Sequence, residues 1–183
     1  MELARFLLVA SLLLTACASR PPSSVTDVSS GPSVDLRSIA ARAPFTVVTF
    51  FSAHCPCQTA HDARLRDLYA AYAPRGVQFV AIDAESGASD ARAAAEHDKR
   101  RYPYPVLADP GGASADALAA AYATYTVVLD REGRVRYHGG IDSDRTHLTR
   151  DAEPYVKNAL DDLLEGRDVR TKEGKVLGCA LSR

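Results

Sequence analysis

Apolar and polar residues along the chain form short strand-like runs separated by longer helical patterns. The run 45–51 is almost continuous in β-branched and aromatic residues, which predicts a central strand buried on both faces. A similar run at 77–83 predicts a second buried strand. Between the two runs, apolar residues recur at helical spacing, and a proline and a glycine follow them. These helical positions are Leu65, Leu68, Tyr69 and Tyr72, followed by Pro74 and Gly76.

The second half of the chain continues this alternation and then changes it. The pattern predicts helices over 89–101, 113–123 and 153–165, a short extended piece at 105–107, and a hairpin formed by 126–130 and 134–137. Strand, helix, strand and helix followed by a hairpin and a closing helix predict an α/β fold, a central mixed β-sheet flanked by helices. Its parallel connections come first and its antiparallel edge comes last.

The first residues predict export rather than part of the fold. The apolar stretch 6–14 is too short to span a bilayer and ends in small residues, so residues 1–16 are interpreted as a signal peptide. The ending Leu14-Thr15-Ala16-Cys17 resembles the lipobox of bacterial lipoproteins. That resemblance implies cleavage before Cys17 and lipid attachment to it, which would anchor the chain to a membrane. With Ala18 next, it implies the outer membrane of a Gram-negative cell envelope, with the protein facing the periplasm.

Composition divides the remainder into a tether and one domain. Residues 17–33 are rich in Ser and Pro, which predicts a lipidated N-terminus followed by a flexible tether. Residues 34–183 are enough for one domain that buries a core without disulfide staples. The net charge of −1, with both signs interspersed, argues against a nucleic-acid partner.

Two cysteines lie where the first strand gives way to a helix, in Cys55-Pro56-Cys57. The N–H groups and dipole of a helix N-terminus favour thiolate, so this placement predicts a redox site. We expect Cys55, nearer to solvent, to attack and Cys57 to resolve the mixed disulfide, with His54 and His61 favouring the thiolate. The partners would be protein or small-molecule thiols and disulfides. No organic cofactor is needed, because the sulfurs carry the electrons.

Other roles for these residues stay open. Cys179 either resolves the disulfide or anchors the end of the chain. Cys55, Cys57 and His61 would together suit copper(I) or zinc, which makes a metal-binding protein an alternative function. His61 also fits a partly buried core position.

Several charged residues are assigned to the surface. Asp62, Arg64, Arg66 and Asp67 fit a solvated helix face, and Asp142, Asp144 and His147 fit a surface loop.

The order of elements resembles the thioredoxin fold, and most closely the bacterial redoxin group related to alkyl hydroperoxide reductase and thiol-specific antioxidant proteins. The resemblance covers about residues 45–165 and is carried by 47–51 leading into 55–57, by 77–83 and by 127–135. It implies a thioredoxin-like redoxin domain with thiol chemistry. Together with the N-terminal features, it supports the hypothesis of a membrane-tethered thiol-disulfide oxidoreductase of the cell envelope.

The chain departs from the thioredoxin pattern Trp-Cys-x-x-Cys in three respects. It contains no tryptophan, His54 precedes the first cysteine, and one residue rather than two separates the sulfurs. A Cys55–Cys57 disulfide would therefore be strained and readily reduced. Thr124 also stands where thioredoxins place a cis-proline.

Thiol peroxidase activity is a further alternative. Peroxiredoxins carry Pro-x-x-x-Thr/Ser-x-x-Cys and a separate arginine. Here Ser52 has the expected spacing to Cys55, but Val48 stands in place of the proline and Thr124 occupies the region of the arginine.

Overall fold

The computed structural model describes residues 34–183. The signal peptide 1–16, the lipidation of Cys17 and the tether 17–33 lie outside the described residues and stay predictions. Within residues 34–183, no helix has the length and apolar character needed to cross a bilayer.

Five strands form one mixed sheet in the order β3-β2-β1-β4-β5. Pairing is parallel for β1 with β2 and for β2 with β3, and antiparallel for β1 with β4 and for β4 with β5. The predicted central mixed sheet with a late antiparallel edge is therefore confirmed. The strands are β1 (Phe45–Phe50), β2 (Val77–Asp83), β3 (Val106–Ala108), β4 (Thr126–Asp130) and β5 (Val135–Gly139).

Helices connect and flank the strands. They are α1 (Leu36–Ala40), α2 (Pro56–Tyr72), α3 (Asp90–Arg100), α4 (Ala113–Ala117) and α5 (Tyr155–Leu164). Helix α2 ends where predicted, because the chain passes into a short 3₁₀ turn (Ala73–Arg75) and then into Gly76 at φ +85°. The sequence pattern did not predict α1, which begins where the Asp35 carboxylate accepts a hydrogen bond from the Ser38 N–H at 2.9 Å.

The central strand β1 separates two apolar clusters. Val48 and Phe50 point into one cluster, together with Cys55 and Cys57, whereas Val47 packs in the other with side chains of α2 and α5. Side chains alternate between the faces of a strand, so both faces of β1 are buried, as predicted. Burial of each such side chain contributes about 1.5–3 kcal/mol. This packing fixes the end of β1, and hence the loop that carries the first cysteine.

The predicted helix over 113–123 is wrong beyond Ala117. Alanine favours helix, yet Ala119 adopts φ +54° and residues 120–123 are not helical. Their backbone groups instead pair with the C-terminal part of the chain, with Ala123 N–H donating to the Cys179 carbonyl at 2.8 Å. Tertiary hydrogen bonds thus override local propensity here.

The predicted solvated face of α2 is wrong for Asp62, which is buried. Its carboxylate accepts hydrogen bonds from the Tyr102 hydroxyl at 2.5 Å and from the Arg100 guanidinium at 2.8 Å. Both donors come from the end of α3 and the segment after it, which fold over α2. Burial by residues this far along the chain cannot be predicted from the hydrophobic periodicity of α2.

Candidate functional site

The strand-to-helix junction places the first two cysteines. Cys55 is the N-cap of α2, with φ −84° and ψ +118°, and Pro56 is the first helical residue. Proline suits that position because its fixed φ is helical and no N–H is needed there. Cys57 follows in the first turn. Both sulfurs therefore lie at the positive end of a 17-residue helix.

Cys179 completes a three-sulfur cluster with Cys55 and Cys57. The Cys55 and Cys179 Sγ atoms lie 2.9 Å apart, and all three Sγ atoms lie within 4.8 Å of one another. The Cys57 thiol donates to the Leu177 carbonyl at 3.4 Å. A disulfide bond is about 2.05 Å long, so the sulfurs of Cys55 and Cys179 are poised to form one but are not bonded in this structure. The structure thus brings Cys179, which lies far away along the chain, into contact with the first cysteine.

Burial differs from the sequence expectation. Cys55 is 1% exposed and Cys57 is 2% exposed, so Cys55 is not nearer to solvent. Cys179 is the partly exposed member of the cluster. The physical reason is that the segment carrying Cys179 lies over the end of β1 and covers Cys55. That segment is separated from Cys55 by more than 100 residues, and its position could not be read from the local motif.

The thiols of Cys55 and Cys179 differ in acidity. Burial opposes ionisation of Cys55, but the Cys179 thiol and N–H and the N–H groups of Gln58 and Cys57 donate to its sulfur, and together they lower its pKa. The Cys179 N–H lies 3.4 Å from that sulfur. The hydrogen bond to Cys55 and burial raise the pKa of Cys179 to about 12. Of the two thiols, Cys55 is therefore the one that ionises more readily, and Cys179 is the one that keeps its proton.

The C-terminal segment (residues 172–183) is held at two places on the sheet. Near β5, the His138 N–H donates to the Lys172 carbonyl and the Gly174 N–H donates to the His138 carbonyl, both at 3.0 Å. Further on, residues 179–181 pair with the stretch before β4 through an antiparallel bridge between Tyr122 and Ala180. These contacts position Cys179 independently of the cysteine motif.

Gly178 permits the close approach of the C-terminal segment. A Cβ atom at this position would collide with the carbonyl oxygen of Ala123. Only glycine therefore lets the backbone of the segment lie against the stretch before β4, which sets the sulfur of the next residue against Cys55.

Neither of the two predicted histidines belongs to the three-sulfur cluster. His54 is exposed in the loop, and its backbone N–H donates to the Ser52 hydroxyl at 3.4 Å. His61 is buried, with Nδ1 2.7 Å from the Cys57 carbonyl oxygen and Nε2 3.1 Å from Asp142. His61 thus does not join Cys55 and Cys57 as the third member of the cluster.

Asp142 is buried, so the prediction that it lies in a surface loop is wrong. It accepts hydrogen bonds from Arg64 at 2.5 Å and from the Asp144 N–H at 2.8 Å, besides its contact with His61. Pairing between α2 and the loop after β5 brings these charges together. The sequence gives no sign of this pairing, except that Asp142 and Asp144 lie close together along the chain.

Replacing Asp142 with asparagine should destabilise the fold by about 2 kcal/mol. Breaking a buried ion pair costs about 3–5 kcal/mol, and the loss here is smaller because the side chain of Arg64 is 25% exposed. Burial alone would lower the pKa of His61, but Asp142 raises it above its ordinary value. The stability gained from this pair is therefore fully present below the ordinary histidine pKa of about 6.5 and is lost as pH rises through the folded-state value.

Urea unfolding measured at about pH 6 and about pH 8 checks both statements. The destabilisation by Asp142→Asn should be larger at the lower pH. The exposed Asp151→Asn change, in the same loop, serves as the matched control and should have little effect at either pH. Equal stability of wild type and Asp142→Asn would contradict the assignment.

The loop before β4 contains the remaining residue singled out by sequence. Thr124 is buried at φ +66°, and its N–H donates to the Phe50 carbonyl at 2.8 Å. No cis peptide bond occurs in residues 34–183.

The guanidinium of Arg100 lies beside the cysteine loop, where it donates hydrogen bonds to the Ala53 carbonyl and to Asp62. Thiol peroxidase activity, which would use an arginine to polarise a peroxide, stays a prediction.

Comparison with known proteins gives a family match and structural relatives. A family model described as Redoxin matches residues 18–160. No curated protein matches the chain. An uncharacterized conserved protein from Geobacillus kaustophilus is 30% identical, with a TM-score of 0.73 and 87% of each chain covered. A hypothetical protein from Sinorhizobium meliloti is 27% identical, with a TM-score of 0.75, and the match covers 86% of this chain and 92% of that one.

A more distant relative bears on the fold alone. A thioredoxin-like protein from Porphyromonas gingivalis is 19% identical, with a TM-score of 0.52, and the match covers 66% of this chain and 76% of that one. The thioredoxin-like α/β fold, a central mixed sheet flanked by helices, is therefore confirmed.

Proposed function

Because the chain belongs to the Redoxin family, we propose that it is a thiol-disulfide oxidoreductase whose redox-active pair is Cys55 and Cys179. The observation that carries this proposal is the 2.9 Å separation of their Sγ atoms. Cys55 at the helix N-terminus has the lowered pKa of a nucleophile. Cys179, whose sulfur contacts that of Cys55, is the thiol that displaces the substrate from it.

The reaction proceeds in two exchanges. The Cys55 thiolate attacks one sulfur of a substrate disulfide, so that a mixed disulfide forms and the other substrate sulfur leaves as a thiolate. Cys179 then loses its proton and attacks the Cys55 sulfur, which forms the Cys55–Cys179 disulfide and releases the second substrate thiolate. Two electrons pass from the pair to the substrate, and protons from the two cysteines and solvent neutralise the products. The same steps in reverse oxidise a dithiol.

Burial of Cys55 adds a condition to this scheme. The substrate sulfur reaches Cys55 only after the C-terminal segment has moved, because that segment covers the end of β1. Cys179 is more accessible, but its raised pKa keeps it protonated and therefore a poor nucleophile near neutral pH. Protein or small-molecule disulfides are the substrates that this chemistry accepts.

Disulfide mapping tests the assignment of the pair. The protein is equilibrated in glutathione buffers of graded potential, quenched with acid, alkylated, digested and analysed by mass spectrometry. We expect one dominant disulfide, between Cys55 and Cys179, with Cys57 alkylated as a free thiol. A dominant Cys55–Cys57 disulfide would restore the pairing expected from the motif and overturn this proposal.

We also propose that the protein is tethered to the outer membrane through lipid on Cys17 and faces the periplasm. The apolar stretch 6–14 and the Leu-Thr-Ala-Cys ending support this location. An oxidising envelope would also sustain a disulfide between Cys55 and Cys179. Replacing Cys17 with serine should move the protein from the membrane fraction to the soluble fraction, whereas Cys57→Ser should leave it in the membrane fraction. Retention of Cys17→Ser in the membrane would reject the lipid anchor.

A further inference from the structure

The disulfide chemistry leaves one buried thiol without a role. Cys57 is 2% exposed and does not belong to the proposed Cys55–Cys179 pair, yet its Sγ atom lies within 4.8 Å of both other sulfurs. Exchange between Cys55 and Cys179 forms and breaks no bond to the sulfur of this third thiol. It does complete a set of three convergent soft donors.

We propose that the reduced three-sulfur cluster binds one copper(I) ion through the thiolates of Cys55, Cys57 and Cys179. An ion about 2.3 Å from each of three sulfurs needs sulfur separations of about 4 Å. No two of the sulfurs lie more than 4.8 Å apart, and the short Cys55–Cys179 contact has to widen by about 1 Å. Cys179 lies in the C-terminal segment, which lacks regular secondary structure, so this adjustment does not disturb the sheet.

The donor set selects the metal. Thiolates are soft ligands that favour copper(I), which accepts three-coordination, whereas structural zinc takes four ligands. Among residues 34–183, the convergent group contains cysteines and neither histidine nor carboxylate. His61, the imidazole first expected to ligate, is engaged by the Cys57 carbonyl and by Asp142. A fourth ligand for zinc is therefore not supplied from this part of the chain.

The surroundings suit a buried soft ion. Two of the three donors are almost fully buried, and the apolar cluster around them includes Phe50, Ala123 and Leu181. Exclusion of water protects copper(I) from oxidation and from competing ligands. The N-terminus of α2 offsets part of the negative charge that three thiolates bring. Each thiol that becomes a ligand releases its proton to solvent, so binding should strengthen as pH rises.

Metal binding and the disulfide exclude each other. Forming the Cys55–Cys179 bond requires loss of two electrons to an acceptor disulfide and consumes two of the three ligands. An oxidised protein therefore cannot hold the ion in this site, and a loaded protein cannot form the disulfide.

Anaerobic competition for copper(I) tests the site. The reduced protein is titrated against the chromophoric chelator bicinchoninate, and bound copper is counted by elemental analysis. We expect one copper(I) per chain, with X-ray absorption showing a shell of three sulfurs. Loss of an outer-shell partner already costs about 10–100-fold in metal affinity, so Cys57→Ser should weaken binding by at least about 100-fold. The control is His54→Asn, which removes an exposed imidazole next to Cys55 that does not belong to the cluster. It should retain wild-type affinity for copper(I).

Other outcomes would overturn the site. The proposal is wrong if the reduced protein binds no stoichiometric copper(I) or retains zinc in preference to it. It is also wrong if Cys57→Ser and Cys57→Ala both keep the wild-type affinity for copper(I), or if His54→Asn loses as much affinity as they do. Circular dichroism of the variants separates loss of a ligand from loss of the fold. The titration uses reduced protein and involves no disulfide chemistry, so failure here and failure of the redox pair are distinguishable. The Cys55–Cys179 disulfide can still be mapped in Cys57→Ser whichever way the titration falls.

Discussion

Serine in place of Cys55 should reduce turnover of a disulfide substrate by at least about 1,000-fold, because the attacking thiolate is lost and a hydroxyl does not ionise near neutral pH. The hydrogen bonds that lower the pKa of Cys55 act on this sulfur alone and cannot activate its neighbours. Initial rates of reduction of a protein disulfide, measured with excess reductant, report the loss directly.

A paired set of variants identifies the second cysteine. Cys179→Ser should accumulate a mixed disulfide on Cys55, because the thiol 2.9 Å away can no longer release the substrate. Electrophoresis without reductant, or intact-mass analysis, detects that adduct. If Cys57→Ser accumulates the adduct instead, Cys57 is the resolving residue as the motif alone suggests. Full activity of Cys55→Ser would remove the sulfur of the helix N-cap from the reaction.

Gly178→Ala should slow formation of the Cys55–Cys179 disulfide by about 100-fold. A methyl group at this position collides with the Ala123 carbonyl oxygen, so the C-terminal segment must shift away from the sheet. Misplacement of a reacting group by about 1 Å can cost about 100-fold in rate. The reduced protein is oxidised with glutathione disulfide, quenched with acid at successive times, alkylated and analysed by mass spectrometry. The time course gives the rate at which the Cys55–Cys179 disulfide forms.

The control for this variant is Ala180→Ser, which adds one heavy atom to the same segment at an exposed position. It should form the disulfide at the wild-type rate. The five strands and most residues of the two clusters lie outside the C-terminal segment, so the thermal unfolding of Gly178→Ala should stay cooperative. A wild-type rate in Gly178→Ala would show that close seating of the segment does not position Cys179.

Sequence patterns predicted what local side-chain chemistry determines. The β-branched runs of β1 and β2 and the proline and glycine after α2 fixed most strands and helix ends, because burial and backbone preference are encoded within each element. The same reasoning failed for residues 118–123. Their alanines favour helix, but Ala121 and Ala123 form hydrogen bonds to the C-terminal segment instead of continuing the helix.

The site shows the same division. Placement of Cys55 and Cys57 at the start of a helix followed from spacing, whereas the contact of Cys55 with Cys179 depends on a pairing across 124 residues. The burial of Asp142 against His61 likewise comes from two distant elements. Contacts of this kind are set by how elements pack together, and no window of a single sequence contains them.

If Cys55 and Cys179 form the proposed disulfide, their long separation along the chain couples folding to redox state. A covalent link across a loop of this length restricts the unfolded ensemble and, on chain-entropy grounds, stabilises the oxidised protein by about 4–5 kcal/mol. Thermodynamic reciprocity requires the same free energy to appear in the reduction potential, which becomes more negative by that amount relative to the unfolded chain. The added stability of the oxidised protein and the more negative reduction potential of the folded protein therefore measure the same free energy.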